Sequence, residues 1–192
     1  MKSQLNDFVL RGLYARHCIR DLQATGQLRA PAVTPSERKE QDLFAPIPER
    51  VRAGSIEMAR VYRTLYALEN LVRDFIDTRF TEEDKTSEWF DARASRDMKK
   101  KLEDRKKGEE KNQWHVGRNE HPIYYLDFGD LGLLIVNHWS VFKDFFPKQS
   151  WVVSRIDEAE KSRNVIAHTN LLSSEEAERL ETYLKDWIRQ VG

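Results

Sequence analysis

A seam of apolar side chains in the first half of the chain constrains the fold more than any other feature. Its members recur at alternating steps of four and three: Val61, Leu65, Leu68, Val72 and Phe75. Steps of four and three place side chains on one face of an α-helix, whereas a half-buried strand alternates at every second residue. We therefore predict one long helix over residues 53–78 with a continuous buried face.

Later segments repeat this helical pattern. Residues 151–170 carry an apolar stripe, and a capping box, Ser173-x-x-Glu176, predicts the start of a last amphipathic helix. No segment alternates as a strand of useful length. The predicted fold class is therefore all-α, an up-and-down bundle of four or five helices.

The segment HPIYYL at residues 121–126 is expected to be extended, because Pro122 disfavours helical backbone at the residue before it. Asp127 can then cap a helix that carries apolar residues as far as Phe145, with His138 on its apolar side. We interpret His138 as a core imidazole with satisfied hydrogen bonds.

The N-terminal part differs in composition from the rest. Residues 4–25 read as an amphipathic helix, and prolines then break regular structure between residues 30 and 49, at Pro31, Pro35, Pro46 and Pro48. We predict a helical arm with a Pro-rich linker over residues 1–50 and one helical domain over residues 51–192.

Composition sets limits on function. A chain of 192 residues with 40% hydrophobic residues can bury one core. Its 32 basic and 32 acidic side chains leave no net charge, so nucleic-acid binding must be argued from local charge. The single Cys18 excludes an intramolecular disulfide, and no apolar run has spanning length. We expect a cytoplasmic protein without membrane contact, metal or cofactor.

A cation interrupts the apolar stripe of residues 151–170. Arg163 falls among the stripe residues Val152, Ile156, Ala159 and Ile166. A buried, unpaired guanidinium costs several kcal/mol, so either a carboxylate pairs with Arg163 or the site receives an anion. Glu69, on the margin of the first seam, is a candidate for that carboxylate.

Two polar residues follow the cation. Asn164 and His168 are four apart and share a helix face, and Arg163 is long enough to reach them. Together they offer a planar cation for a phosphate, a polar orienting group and an imidazole that changes charge near neutral pH. Because RNA carries its own 2′-hydroxyl nucleophile, these parts suffice for cleavage without a metal.

The sequence RNVIAH at residues 163–168 resembles the Arg-x4-His signature of the HEPN superfamily, in which the residue after Arg is typically polar. LYALENLVRDFI (65–76), a Trp-bearing charged helix, HPIYYLDFGDLGLLI (121–135) and QSW before the motif helix resemble the Swt-like HEPN domains. The resemblance covers about residues 55–190.

This resemblance implies a HEPN bundle and a metal-independent endoribonuclease with Arg163, Asn164 and His168 at its catalytic site. It further implies a homodimer with facing motifs, 2′,3′-cyclic phosphate products, and a role as a toxin, antiviral-defence effector or RNA-processing enzyme. HEPN domains often carry Glu or Asn near the site on the first helix, which makes Glu69 and Asn70 supporting candidates.

Regulation by an antitoxin is open. Toxins of this superfamily that a nucleotidyltransferase silences continue the motif as His-x-Tyr, whereas this chain has Asn170. That route is therefore doubtful here, while another antitoxin or regulatory partner remains an alternative.

One stretch of the chain is basic. Between Arg93 and Arg118, ten Lys or Arg stand against five acidic residues. The predicted RNA-binding residues are Lys99, Lys100, Lys101, Arg105, Lys106 and Lys107, with a loop expected over residues 108–117. A merely solvated charged helix is the alternative.

Three other readings of the motif stay open. The domain can be a non-catalytic HEPN module that dimerises or docks RNA or a partner. It can also be a plain bundle in which Arg163 pairs with Glu69. A metal-dependent hydrolase is disfavoured, because no cluster of carboxylates and histidines has ligand spacing.

Overall fold

The computed structural model describes residues 11, 14–22, 24–26, 34–112 and 114–191, and the chain divides into two units between Arg52 and Ala53. In the first unit, residues 14–22 are helical, as predicted. Residues 4–10, 12, 13 and 23 of the predicted arm helix lie outside the described residues, and so does Pro31.

The prediction that residues 30–49 lack regular structure is wrong in part, because helix α1 spans Pro35–Phe44. A proline is compatible with the first position of a helix, where its missing N–H has no intrahelical acceptor. The next two prolines, Pro46 and Pro48, fall between α1 and the following helix and so interrupt neither.

Helix α2 spans Glu49–Asp84 and contains the predicted segment. Its buried side chains follow the predicted seam, except that Ile76 is buried where Phe75 was predicted and Phe75 is half-buried, and they continue it for one further turn: Val61, Leu65, Leu68, Val72, Ile76 and Phe80. Burying one such side chain stabilises the fold by about 1.5–3 kcal/mol. The seam therefore fixes which face of α2 lies against the rest of the domain.

Two helices follow α2. The short α3 spans Phe90–Arg93, and α4 spans Arg96–Glu110 behind an N-cap, Ser95, whose hydroxyl oxygen accepts the Met98 N–H at 3.3 Å. Trp89, Phe90 and Met98 are buried. The helix includes Gly108, so the loop predicted from residue 108 begins after Glu110.

Residues 122–125 correct a second prediction. Pro122–Tyr125 form a 3-10 helix, and within the segment predicted to be extended only the two flanking residues, His121 and Leu126, have extended backbone. The Ile123 N–H donates to His121 Nδ1 at 3.4 Å, which caps this short helix. Proline restricts the preceding residue and itself suits the first position of a helix.

Helix α5 spans Phe128–Asn137 from the predicted N-cap Asp127, whose backbone N–H donates to Asp130 Oδ2 at 3.0 Å. The expected continuous helix is interrupted at His138, and α6 spans Trp139–Phe142. His138 Nε2 lies 2.9 Å from the Arg93 carbonyl oxygen. This contact satisfies the imidazole, as predicted, and lies at the interruption.

Helix α7 spans Gln149–Ala167, and α8 spans Ser174–Val191. Helix α7 packs closely on α5, where a Cβ on Gly132 would lie 3.2 Å from Ile156 Cγ2. The capping box that precedes α8 is confirmed, with reciprocal bonds between Ser173 and Glu176. Trp187 of α8 joins the aromatic core against Phe75.

The described residues contain helices and no strand, so the all-α prediction is confirmed. One hydrophobic cluster receives side chains from α2, α4, α5, α7 and α8. Among the described helices, none combines the length and the apolar character that crossing a membrane requires.

Candidate functional site

The C-terminal turns of α7 carry the predicted catalytic residues. Arg163 is half-buried, and its Nη1 donates to Asn164 Oδ1 at 3.3 Å. Asn164 is exposed, and exposed His168 follows the last helical residue as the C-cap. The predicted contact between Arg163 and Asn164 is present, whereas Arg163 and His168 share no hydrogen bond.

A tight turn fixes the backbone at His168. The Thr169 N–H donates to the Ile166 oxygen at 2.9 Å, and the Asn170 N–H donates to the Val165 oxygen at 3.2 Å. This pair of bonds is a Schellman motif, whose left-handed position glycine usually occupies. Here Thr169 occupies it with φ 57°, which is rare for a β-branched residue.

Side chains tie down the same turn. The Thr169 hydroxyl donates to the His168 carbonyl oxygen at 2.7 Å, and the Asn170 amide donates to it at 3.2 Å. The backbone of His168 is therefore held while its side chain faces solvent. Strained backbone of this kind costs about 1–2 kcal/mol and recurs at functional sites.

Arg163 lines a cleft of about 580 Å³ against α2, which we call the Arg163 cleft. The lining side chains are mainly aromatic, cationic and amide: Tyr62, Leu65, Tyr66, Glu69, Asn70, Arg73, Arg118, Asn119, Tyr124, Arg163, Ile166 and Ala167. The fold thus brings Arg163 together with both supporting candidates, Glu69 and Asn70. It leaves Asn164 and His168 outside the lining.

The predicted partner of Arg163 has a different partner. Glu69 forms an ion pair with Arg73, one turn further along α2, and both side chains are largely buried. Among the described residues, Arg163 forms no ion pair. The pairing of Arg163 with Glu69 is wrong, because Arg73 lies on the same helix face, and half-buried Arg163 keeps contact with water.

Arg73 lines the cleft with a largely buried side chain. Its Nη2 also lies 3.5 Å from the Leu126 oxygen, and its guanidinium stacks 5.4 Å from the centre of the Tyr124 ring. Its Nε is buried without a hydrogen-bond partner among the described residues. Arg73 is thus committed to the protein, which leaves Arg163 as a cation of this cleft that no described carboxylate neutralises.

Two of the predicted RNA-binding cations on α4 are committed to the fold. Lys101 Nζ donates to Asp130 Oδ2 at 2.8 Å and to Asp127 Oδ2 at 3.3 Å. Arg105 Nη2 donates to Asp127 Oδ1 at 2.7 Å. Burial by itself lowers the pKa of Lys101, but its bonds to Asp130 and Asp127 outweigh burial and raise that pKa. Both cations therefore hold α4 against the start of α5.

The other basic residues of α4 divide by exposure. Lys100, Lys106 and Lys107 are exposed, and half-buried Lys99 donates to the Asp91 carbonyl oxygen at 2.7 Å. The Lys106 ammonium lies 5.6 Å from the centre of the Tyr125 ring, whereas no bond or ring contact to the described residues holds the ammonium groups of Lys100 and Lys107. The described residues contain no group of three His, Cys, Asp or Glu side chains placed to hold a metal ion.

The comparison with protein families agrees with the helical bundle. The model of the Swt1-like HEPN family matches residues 63–192, which is more than half of the chain. The chain belongs to the Swt1-like HEPN family. No curated protein and no solved structure gives a significant match. Membership of this family indicates a role with RNA, either as a ribonuclease or as an RNA-binding domain.

The Arg163 cleft also contains residues that the sequence analysis did not single out as candidates. Tyr62, Tyr66 and Arg73 lie on the same side of α2 as the supporting candidate Asn70. Their steps of four and seven were a visible signal, since they continue a polar and aromatic stripe beside the apolar seam. Arg118 is different, because it reaches the cleft from an irregular segment whose path no local pattern predicts.

Proposed function

We propose that this HEPN domain is a metal-independent endoribonuclease. The observation that carries the proposal is half-buried Arg163, which lines a cleft, bonds to Asn164 and has no described carboxylate partner. Its planar guanidinium is suited to two oxygens of one phosphate. In the reaction, the RNA 2′-oxygen forms a bond to phosphorus while the bond from phosphorus to the 5′-oxygen breaks.

His168 is the proton carrier in this proposal. One imidazole takes the proton of the 2′-hydroxyl, and an imidazolium or water supplies a proton to the leaving 5′-oxygen. The products are a 2′,3′-cyclic phosphate and a 5′-hydroxyl. The exposed imidazole on a fixed backbone is compatible with this role, because substrate can reach it without moving the helix.

We further propose that the working unit is a homodimer with facing motifs. Arg163 lines the cleft of its own protomer, whereas exposed His168 is not among the lining residues and forms no hydrogen bond with Arg163. A second copy that brings its own motif opposite supplies the missing imidazole. Two incomplete sites then combine into a complete one.

The first experiment measures cleavage of total RNA in excess chelator, followed by mapping of the new ends. Wild type should produce cyclic-phosphate ends, and His168→Ala and Arg163→Ala should reduce the rate by on the order of a hundredfold or more. His115→Ala is the matched control, since His115 is an exposed histidine outside the motif. Equal cleavage by wild type and His168→Ala would refute the assignment.

A mixing experiment tests the dimer. Arg163→Ala and His168→Ala proteins are inactive separately, but a mixed dimer contains one site with an intact arginine from one copy and an intact histidine from the other. Co-expression of both variants should therefore restore activity. A mixture as inactive as its components, or activity that sediments as a monomer, would contradict the shared site.

A non-catalytic RNA-binding domain is the second candidate. It is favoured by one observation, the position of His168 outside the cleft that Arg163 lines. Under this alternative, wild type binds RNA with an affinity that falls as salt rises, and it releases no cyclic-phosphate ends. Binding without cleavage across several RNA preparations would select this function.

A further inference from the structure

Two exposed aromatic rings stand at the edge of the Arg163 cleft. Tyr62 and Tyr66 are four residues apart on α2, and they are 56% and 59% exposed. Their ring centroids are 6.1 Å apart with an interplanar angle of 47°. Two neighbouring rings left this open form a continuous aromatic surface that the domain itself does not cover.

The hydrogen-bonding groups beside these rings are also incompletely used. The Asn70 amide group donates to the Tyr66 carbonyl oxygen at 2.8 Å, and its own Oδ1 has no bond among the described residues. Arg163 donates only to the neutral Asn164 side chain. The cleft therefore combines aromatic faces, an amide acceptor and a cation. The aromatic faces can stack on a base, the amide oxygen can accept a hydrogen bond from its edge, and the cation can bind the phosphate.

We propose that Tyr62 and Tyr66 form a stacking platform for an unpaired base of RNA next to the phosphate at Arg163. This proposal rests on the proposed RNA-cleaving function and specifies its substrate as single-stranded RNA. The cleft volume of about 580 Å³ lies within the range of about 300–1,000 Å³ that is typical of small-molecule pockets.

The platform makes binding depend on strand state and only weakly on base identity. Every base has a π-face, so stacking tolerates sequence, whereas a duplex hides those faces between neighbouring base pairs. Removing one ring lowers affinity by on the order of tenfold, as alanine substitution of stacking residues typically does. The salt dependence stays the same, because a tyrosine ring neutralises no phosphate.

The test uses a single-stranded RNA of about ten nucleotides that contains one 2-aminopurine and 2′-O-methyl groups throughout. These groups remove the nucleophile, so binding is measured without cleavage, and stacking quenches the fluorescence of 2-aminopurine. Wild type, Tyr66→Ala, Tyr62→Ala and Tyr66→Phe are compared at several salt concentrations. Tyr14→Ala serves as control, since Tyr14 is an exposed tyrosine of the N-terminal unit.

We expect wild type, Tyr66→Phe and Tyr14→Ala to quench the probe and to bind it with similar affinity. Tyr66→Ala should weaken binding by about tenfold with an unchanged salt slope, and the duplexed probe should bind wild type more weakly. Unchanged affinity in both alanine variants, or equal affinity for the duplex, overturns the platform. A loss that coincides with dissociation of a dimer in sedimentation also overturns it, because the rings then belong to an interface.

The cleavage assay separates this inference from the proposed function. If wild type binds and quenches the probe but cleaves no RNA, the platform stands and the ribonuclease assignment fails. If wild type cleaves RNA and neither alanine substitution changes binding, the ribonuclease stands and the platform fails. A wild-type protein that neither binds nor cleaves single-stranded RNA overturns both.

Discussion

Lys101 and Lys100 are neighbours on the basic helix α4, yet their ammonium groups lie in different surroundings. The Lys101 ammonium bonds to Asp130 and Asp127, and the Asp130 side chain is only 9% exposed. Lys100 is exposed. Replacing either lysine by Met keeps the aliphatic stem and removes the charge, so the pair separates a cation that holds the fold from one that can hold RNA.

The loss of stability in Lys101→Met can be estimated from the carboxylate that the substitution leaves without a partner. Breaking a fully buried ion pair costs about 3–5 kcal/mol, because one charge remains buried without a partner. The Lys101 side chain is 41% exposed, so water reaches the vacated position and reduces that cost to about 2 kcal/mol. For a unit of this size, the melting temperature should fall by roughly 5–8 °C.

Lys100→Met should change stability by less than about 0.5 kcal/mol. It should instead lower RNA affinity and flatten the dependence of binding on salt, since one phosphate contact is lost. Differential scanning calorimetry and a salt titration of RNA binding measure the two effects on the same protein samples.

A third variant tests whether the unpaired carboxylate causes the loss of stability. Adding Asp130→Asn to Lys101→Met removes the carboxylate that was left unpaired, so the double variant should recover part of the lost stability. Equal melting temperatures for wild type and Lys101→Met would refute the structural role of this ion pair. A double variant less stable than Lys101→Met would show that the cost arises elsewhere.

Two further predictions concern the same domain. Thr169→Gly should raise the free energy of unfolding by about 0.5–1 kcal/mol, because glycine accepts φ 57°, and this relief exceeds both its entropic cost and the loss of the exposed bond from the Thr169 hydroxyl to the His168 carbonyl oxygen; a lower melting temperature would contradict the strain argument. Burial alone raises the pKa of Asp127, but its bonds to Arg105 and Lys101 outweigh burial and lower that pKa. Because the pKa of Asp127 is lower in the folded state, its carboxylate stabilises the folded state at pH values above its unfolded-state pKa of about 3.9. This stabilisation is lost as the pH falls through the folded-state pKa. Urea unfolding from pH 7 to pH 3 should show that loss, and Arg105→Met should weaken the pH dependence.

The sequence predicted those parts of the fold that depend on local spacing. Steps of four and three along α2 decide which face is buried, whichever partners it meets. The capping box at Ser173 involves bonds within four consecutive residues, so it can be predicted without knowledge of the tertiary structure. The motif residues Arg163, Asn164 and His168 could also be identified from the sequence, because they lie within six consecutive residues.

Wrong predictions arose where two local preferences competed or where a longer contact decided. Pro35 breaks a helix interior but suits a helix start, and the pattern of prolines alone did not distinguish the two. The interruption at His138 coincides with a contact to Arg93, which is 45 residues away along the chain. A side-chain period cannot reveal such a contact.

The sequence by itself determined a helical HEPN-type domain and the chemical groups of its motif, because periodicity, caps and motif order are properties of neighbouring residues. Only the tertiary structure decided which partner each charge takes. Glu69 bonds to Arg73 and leaves Arg163 open to the cleft, and Lys101 is held by carboxylates 26 and 29 residues away. Electrostatic energy depends on distance in space and on access of water, and both are fixed only when the helices have packed.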